Sequence, residues 1–214
     1  PGDVLHEIRK QLGAIRRMHH FRVELDSVIF FLFICDEGKR RILHRQVAMA
    51  IEQVYGAVPE QYKRLAYHWG MAGSPEKEAH YASRAAEQMV EAGLNLEAKA
   101  LYEQALRAIN SLPQTAERRL QLIDWATRRA DVAFYHPDDS VPEMLDLAMQ
   151  AAQELSEESG DIAPILNVMS SYGSYYYMVG QANAAHDVIT RCLNLAHERG
   201  FTSDKNLQVH LVGA

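Results

Sequence analysis

The most regular feature of the chain is the recurrence of apolar and small residues every three or four positions from residue 41 onward. This spacing places them on one face of a helix, and no alternation typical of strands interrupts it after residue 36. Glycines add a second rhythm, because Gly73 and Gly93 are 20 residues apart and so are Gly180 and Gly200. One helix and a tight turn fill that interval, so the pattern predicts consecutive helices paired into hairpins.

The individual helices are delimited by these glycines, by prolines and by short polar turns. The clearest loop is His-Pro-Asp-Asp-Ser at residues 136–140. In residues 1–35 we expect a helix up to Arg17, a short strand near residues 21–25, and then a helix or a buried segment. The predicted helices downstream cover residues 41–56, 62–71, 75–91, 95–110, 115–135, 142–157, 162–179 and 182–199, with a last one beginning near Ser203.

The same periodicity predicts which helix faces are buried. The first of these helices carries an apolar stripe of Ile42, Val47, Ile51 and Val54. Further along, small residues are expected where two helices cross closely, and large aromatic residues fill the volume that the small ones leave open. The small residues in this prediction are Ala66, Ala98 and Gly173, and the large ones are Trp69, Tyr102 and Tyr176.

Glu78 interrupts the repeated pattern near the start of a helix. Later helices have alanine at the comparable position, as at Ala98 and Ala185. A buried carboxylate without a partner would cost several kcal/mol. We therefore expect Glu78 to lie at an edge, or the neighbouring Ala79 to take the inward position.

Charge and cysteine content narrow the functional classes. The chain has 214 residues, a formal net charge of −6 and two cysteines. An acidic chain is a poor general binder of nucleic acid, and two cysteines far apart suit a reducing compartment, so we expect a cytoplasmic protein. The longest apolar run, residues 28–35, is too short for a membrane helix, which needs roughly 20 residues. The chain begins with Pro1 and stops inside an apolar pattern, which indicates a piece of a longer protein.

The basic residues cluster near the N-terminus, at Arg40, Arg41 and Arg45. They could contact nucleic acid through a winged helix. A solvated helix face, or a surface that docks an adjoining domain, is the commoner explanation, so nucleic acid is an unlikely partner.

No pattern in the sequence predicts catalysis. A P-loop needs Gly-x-x-x-x-Gly-Lys-Ser/Thr, and the pair Gly38-Lys39 has Phe33 where the first glycine belongs. His186 and His197 share a helix face but stand roughly 16 Å apart along its axis, too far to bind one metal. We therefore expect no catalytic residue, no cofactor and no metal site, and interpret the chain as not being an enzyme.

A tyrosine-rich stretch around residue 175 is the strongest candidate for a binding surface. Tyr172 and Tyr176 match core positions of their helix, whereas Tyr175 and Tyr177 do not. A packed ring with a hydrated hydroxyl is one explanation for such an outward tyrosine, and a groove for a protein or peptide partner is the other. The predicted partner groove comprises Asn167, Ser170, Ser174 and Tyr177, together with Lys63 and Tyr67 on an earlier helix.

Residues 65–109 resemble tetratricopeptide repeats. A longer series of motifs resembles the region that follows the ATPase core in large bacterial signal-transduction ATPases of the STAND/AAA type. Such proteins join a P-loop ATPase to a C-terminal tetratricopeptide array, and many carry a class III adenylate/guanylate cyclase domain or a protein kinase domain. The motifs are Phe21-Arg22-x-x-Leu25, Arg40-Arg41-x-Leu43-His44-Arg45, Leu65-Ala66-x-His68-Trp69 and Leu112-Pro113-x-Thr115.

The resemblance implies an all-α chain that forms a right-handed superhelix of tetratricopeptide-like hairpins. Residues 1–56 would be the tail of a winged-helix-like junction with its linking helix, and residues 57–214 the repeat array, truncated at its C-terminus. The implied function is a non-catalytic interaction and regulatory module that binds a protein or peptide, a small inducer, or the ATPase core of its own parent chain. A free-standing tetratricopeptide scaffold and the effector-binding part of a transcriptional regulator remain as alternatives.

Overall fold

A computed structural model describes residues 37–56, 58–133, 138 and 140–200. The chain forms two compact units, residues 1–43 and residues 44–214. The described part of the first unit is helical, with an ion pair of 2.9 Å between Arg41 and Glu37. The helix and strand predicted before residue 36, and the helix predicted from Ser203, lie outside the described residues.

The described residues are almost entirely helical and contain no strand, which confirms the predicted all-α class. One 3-10 turn, Pro59–Gln61, separates the first two helices. The α-helices are α1 (Glu37–Tyr55), α2 (Tyr62–Met71), α3 (Pro75–Glu91), α4 (Asn95–Asn110), α5 (Ala116–Val132), α6 (Ser140–Ser159), α7 (Ala163–Met178) and α8 (Ala182–Glu198).

Glycine terminates helices in the predicted way. At the end of α2, Gly73 has φ +69° and donates to the carbonyl of Gly70, and Ser74 donates to the carbonyl of Trp69. These two bonds form a Schellman motif, which needs a left-handed residue that glycine adopts without strain. The same pair of bonds recurs after α3 and after α7. The 20-residue interval between Gly73 and Gly93 therefore separates two identical helix ends.

Helix α6 differs from its prediction because it begins two residues earlier and ends two residues later. Its start is at Ser140, whose backbone N–H donates to the Asp138 carboxylate at 3.0 Å. Pro142 then lies in the first turn, where a missing N–H costs nothing. Upstream, α5 ends at Val132 rather than near Tyr135.

From α2 to α8, helices adjacent in sequence pack against each other, and α5 also packs against α7. The core between them is built from alanines, leucines and aromatic side chains. Ala66 and Ala98 are fully buried at these crossings, as predicted. The helix crossing at Gly173 is also close, because a Cβ on this residue would stand 2.7 Å from Cγ1 of Ile189.

The position of Glu78 follows the prediction. Ala79 is 1% exposed and takes the inward position, while Glu78 is only partly buried. The carboxylate of Glu78 accepts a hydrogen bond from Gln104 at 2.8 Å and lies against Gly70. The carboxylate therefore has a polar partner, and the inward volume is filled by a methyl group.

The predicted stripe on α1 is only partly confirmed, because Ile51 is buried and Val47 packs partly buried against the core, but the other two members are exposed. Ile42 and Val54 are 56% and 67% exposed, and the buried residues are His44, Ala48 and Ile51. The observed set also has helical spacing, at i, i+4 and i+7. Apolar character alone could not select it, because its first member is a histidine whose partner lies on another helix.

The inward face predicted for α7 is also partly wrong. Tyr175, predicted to lie outside the core, is 6% exposed, and its hydroxyl approaches the carbonyl of Asp138 at 3.4 Å. Tyr172 and Tyr176 are only partly buried. Because α7 packs against α5, α6 and α8, it has more than one buried face, and a single-stripe prediction cannot describe it.

Candidate partner-binding groove

The second unit contains an open groove between α3 and α5, which both pack on α4. Its volume is about 450 Å³. Charged, polar and aromatic side chains line it more than aliphatic ones do. We call it the α3–α5 groove, and its lining residues are Glu76, Lys77, Ala79, His80, Tyr81, Ile109, Thr115, Glu117, Arg118, Gln121 and Trp125.

The α5 wall of this groove is positioned by the cap of the helix. Thr115 is extended and its hydroxyl accepts the backbone N–H of Arg118 at 3.3 Å, which satisfies one of the free donors of the first turn. The guanidinium of Arg118 donates to the carbonyl of Pro113 and, across the groove, to Glu76 at 3.2 Å. Trp125, 8% exposed, lies two turns further along the helix.

The α3 wall presents His80 and Tyr81, whose rings meet edge to face with centroids 5.0 Å apart. Burial lowers the pKa of His80, and the positive charge of Arg84 lowers it further. His80 is therefore neutral at pH 7 and contributes one donor and one acceptor to the groove.

Glu52 of α1 connects this wall to the first helix. Its Oε1 accepts from Tyr81 Oη at 2.8 Å, Trp69 Nε1 at 3.0 Å and Lys77 Nζ at 3.1 Å. The Lys77 ammonium also lies 4.0 Å from the centroid of the Trp69 ring. Burial raises the pKa of Glu52, but the hydrogen bonds from Tyr81, Lys77 and Trp69 outweigh burial, so the pKa is lowered overall. Glu52 is thus an ionised carboxylate held by three donors.

A second polar link joins α1 to α2. Nδ1 of His44, which is 1% exposed, lies 2.9 Å from Nδ1 of His68. At this separation one nitrogen donates a proton to the other, so at least one ring must be neutral. Burial lowers the pKa of His68 to about 4, with further contributions from the charges of His44 and Arg64.

A buried guanidinium occupies the junction of α4, α5 and α6. Arg129 is fully buried and donates to Glu103 at 2.9 Å and to Asp138 at 2.7 Å. Lys99 forms a further ion pair with Asp138 at 2.8 Å. Asp138 also caps α6, so this cluster ties the start of α6 to the two preceding helices.

A more apolar groove lies between α6 and α8 with α7 as its floor, and its volume is about 640 Å³. Tyr172 donates from its floor to the carbonyl of Pro142 and to the carboxylate of Asp146. We call it the α6–α8 groove. Its lining residues are Asp146, Met149, Gln153, Ile165, Met169, Tyr172, Tyr176, Val188, Arg191, Asn194, Leu195 and Glu198.

The six residues predicted to bind a partner line neither of these grooves. Helix α2 packs mainly on α3, whereas α7 packs on α5, α6 and α8, so the structure does not bring the two groups together. Their role in binding stays a prediction. On α7, Asn167, Ser174 and Tyr177 are exposed and Ser170 is partly buried, and on α2 both Lys63 and Tyr67 are exposed.

Sequence reasoning missed the groove residues Lys77 and Tyr81 and their common partner Glu52, which lies outside the groove lining. Lys77 and Tyr81 are 25 and 29 residues from Glu52, so no local pattern connects them. The available signal was weak: an acidic residue on a helix face next to the buried Ile51.

Within the described ranges, no three His, Cys, Asp or Glu side chains are grouped as metal ligands would be. Among the same residues, no helix combines the length and apolar character needed to cross a bilayer.

Comparisons with known proteins define a class of fold rather than a family. No family model and no curated protein matches the chain. The crystal structure of BtubC (BKLC) from P. vanneervenii is similar, with a TM-score of 0.54 and 16% identity over 95% of this chain and 81% of that chain. At this level of identity the similarity concerns the helical fold alone.

Proposed function

We propose that this chain is a non-catalytic interaction and regulatory module, the helical-repeat part of a larger signalling ATPase. The α3–α5 groove carries the proposal. It is open to solvent and lined by ionic, amide and aromatic groups from two helices, a surface suited to an extended protein segment rather than to an enclosed substrate. The tetratricopeptide-like motifs of residues 65–109 support the same reading.

The proposal includes a right-handed superhelix of tetratricopeptide-like hairpins. Identical helix ends after α2, α3 and α7, and packing between successive helices, support it. So does the contact between α5 and α7, since the first helices of adjacent hairpins meet in such arrays.

The proposed partner is a protein or peptide, or the ATPase core of the parent chain, in the cytoplasm. The net charge of −6 disfavours nucleic acid, and we propose no membrane partner. A free-standing scaffold, or the effector-binding part of a transcriptional regulator, would use the same groove. A P-loop encoded immediately upstream in the gene would favour the ATPase and exclude the free-standing scaffold.

A library of random linear 12-residue peptides displayed on phage tests the groove. We expect enriched peptides whose binding is lost in His80→Ala and Gln121→Ala, because these side chains line the groove. The matched control is His186→Ala, an exposed histidine on α8. Equal binding by the His80, Gln121 and His186 variants, or a library without enriched peptides, would contradict the proposal.

A further inference from the structure

Helices α3, α5 and α7 each carry an aromatic residue followed by a small one near the middle of the helix. The pairs are Tyr81-Ala82, Trp125-Ala126 and Tyr172-Gly173. The small member of each pair is buried. Because these helices alternate with α4, α6 and α8 along the chain, the pairs identify equivalent positions in successive hairpins. The faces of the three helices can therefore be compared position by position.

One stripe of residues is buried on α3 and α5 but not on α7. It lies three residues before, one residue after and four residues after the small residue of each pair. On α3 and α5 its members are at most 7% exposed, and they are Ala79, Ser83, Ala86, Ile123, Thr127 and Ala130. On α7 the equivalent Ser170 is partly buried, and Ser174 and Tyr177 are exposed. We call these three residues the α7 face.

The packing of α7 on α5 explains why the equivalent stripe of α5 is buried. Val168 and Tyr175 of α7 are 0% and 6% exposed, and they belong to the same contiguous core as Ile123 and Ala130 of α5. On a helix, Val168 and Tyr175 lie on the side opposite to the α7 face. Helix α7 therefore packs on α5 with one side and exposes the other.

The chemistry of the α7 face suits burial under a helix. The middle position of the stripe carries a hydroxyl in all three helices, at Ser83, Thr127 and Ser174. Ser83 and Thr127 are buried and donate to the carbonyls of His80 and Asp124, three residues earlier, at 2.9 Å. A hydroxyl bonded to its own helix can be buried without a partner from outside. Ser174 can therefore be covered as its two equivalents are.

The chain predicts a helix shortly after α8. Gly200, with φ +77°, donates to the carbonyl of His197 at the end of α8. The sequence predicts the next helix, outside the described residues, from Ser203, five positions after the last residue of α8. This interval resembles the six positions between the end of α4 and the start of α5, and the four between α6 and α7. Leu207 and Leu211 are one turn apart in the predicted helix.

We propose that the α7 face is the docking site of this C-terminal helix, which packs on α7 through Leu207 and Leu211 as α7 packs on α5. The inference rests on the proposed stack of hairpins but not on the α3–α5 groove being the partner site. It makes the α7 face part of the packing of the chain itself. Ser170, Ser174 and Tyr177, which the sequence predicted to bind a partner, are then covered by the chain.

Alkylation of single introduced cysteines by iodoacetamide measures whether the α7 face is covered. In the full chain, we expect Ser174→Cys to react roughly tenfold more slowly than Ala100→Cys, which replaces an exposed alanine of α4. Mass spectrometry of the labelled peptides separates these thiols from Cys35 and Cys192. Equal rates for the Ser174 and Ala100 variants would overturn the proposal.

Two double variants, each combined with Ser174→Cys, identify what covers the face. Leu207→Asp/Leu211→Asp places two charges on the apolar stripe of the predicted helix and should raise the alkylation rate to that of an exposed thiol. The matched control, Asn206→Asp/Gln208→Asp, adds the same charges beside the stripe and should leave the rate low. An unchanged rate in the leucine variant would overturn the inference. So would a low rate that rises on dilution, since a second copy would then cover the face. None of these outcomes affects the peptide-library test of the α3–α5 groove.

Discussion

Buried and half-buried charges have distinct roles at the scale of single residues. Arg129 is fully buried and has two carboxylate partners, so its charge is compensated inside the protein. Glu52 stands nearer the surface and uses donors that also face a groove. The inaccessible charge of Arg129 joins helices inside the protein, whereas Glu52 and its partner Lys77 are partly exposed to solvent. The difference between them is exposure, since both are held by several charge-assisted hydrogen bonds.

Asp138→Asn should destabilise the protein by about 2–3 kcal/mol, because it leaves the Arg129 guanidinium and Lys99 short of one negative charge while the cap of α6 is retained. Chemical denaturation measures the difference. Asp187→Asn, an exposed aspartate on α8, should have little effect. Equal stability of the two variants would show that the buried cluster does not depend on the charge of Asp138.

The same carboxyl predicts a pH dependence. Burial raises the pKa of Asp138, but hydrogen bonds from Lys99, Ser140 and Arg129 outweigh burial and hold it well below the ordinary value of 3.8. A depressed carboxyl pKa contributes stability above the unfolded-state pKa, and that stability is lost as the pH falls below it. Thermal denaturation between pH 5 and pH 3 should therefore show a smaller loss in Asp138→Asn than in the unmodified chain.

Gly173→Ala tests the closest helix crossing. Its Cβ would stand 2.7 Å from Cγ1 of Ile189, so we expect a net loss of about 1–2 kcal/mol despite the better helix propensity of alanine. Ser174→Ala, exposed on the same helix, should be neutral or stabilising. A double variant with Ile189→Ala should cost less than the sum of the two single changes, and strict additivity would argue against a steric cause.

At the scale of elements, each helix is held by a different mixture of packing and polar links. Helices α3 and α4 bury alanines and aromatic rings in a shared interface, as small and large residues interdigitate. Helix α1 has fewer buried side chains and is held partly by Glu52 and by the histidine pair. We therefore expect α3 and α4 to be sensitive to changes in side-chain volume, and α1 to changes in charge.

The histidine pair between α1 and α2 should make stability fall as the pH decreases from 6.5 toward 4. Because burial lowers the pKa of His68 to about 4, the unfolded chain takes up its proton first on acidification. Because His68 is partly exposed, we expect the loss in free energy of unfolding to be only about 1 kcal/mol. A loss of this size lowers the melting temperature by roughly 2–4 °C. His68→Gln should remove this part of the difference between pH 7.5 and pH 5, and His186→Gln should not. Equal pH dependence of the His68 and His186 variants would contradict a contribution of the histidine pair to the pH dependence of stability.

At the scale of the whole molecule, the second unit is a series in which most contacts join neighbours in sequence. Between α7 and α8 there is a small separate core of Ile162, Leu166, Cys192 and Ala196. In such a series, stability is distributed among local interfaces rather than shared evenly. We therefore expect the C-terminal hairpin to open more readily than the helices near α3.

Cys192→Ser tests this arrangement. Cys192 is 1% exposed within the separate core, so a hydroxyl there should cost about 1–2 kcal/mol. Native-state hydrogen exchange should become faster in α7 and α8 and remain unchanged in α3 and α4. A uniform increase across all these helices would show that the second unit opens as one cooperative body.

Helix existence and most helix ends followed from local chemistry. A left-handed residue is needed after a helix, glycine adopts that conformation without strain, and proline suits a first turn, so Gly73 and Gly93 marked ends correctly. The inward position of Ala79 in place of Glu78 was equally predictable, because an unpartnered carboxylate is costly inside a protein. The buried faces of α1 and α7 were not, since His44 and Tyr175 are accommodated only by partners from other helices.

The sequence by itself determined the succession of helices in the described residues, the positions of their turns and the small residues at their crossings, because each of these depends on interactions within a few residues. Only the tertiary structure decided which charged side chains meet. Glu52 finds Trp69, Lys77 and Tyr81, at separations of 17, 25 and 29 residues, once three helices have packed. Hydrogen bonds of this kind need atoms placed within about 3 Å of each other. Periodicity selects a helix face but not a position to that accuracy, so the groove and its link to α1 emerged only with the fold.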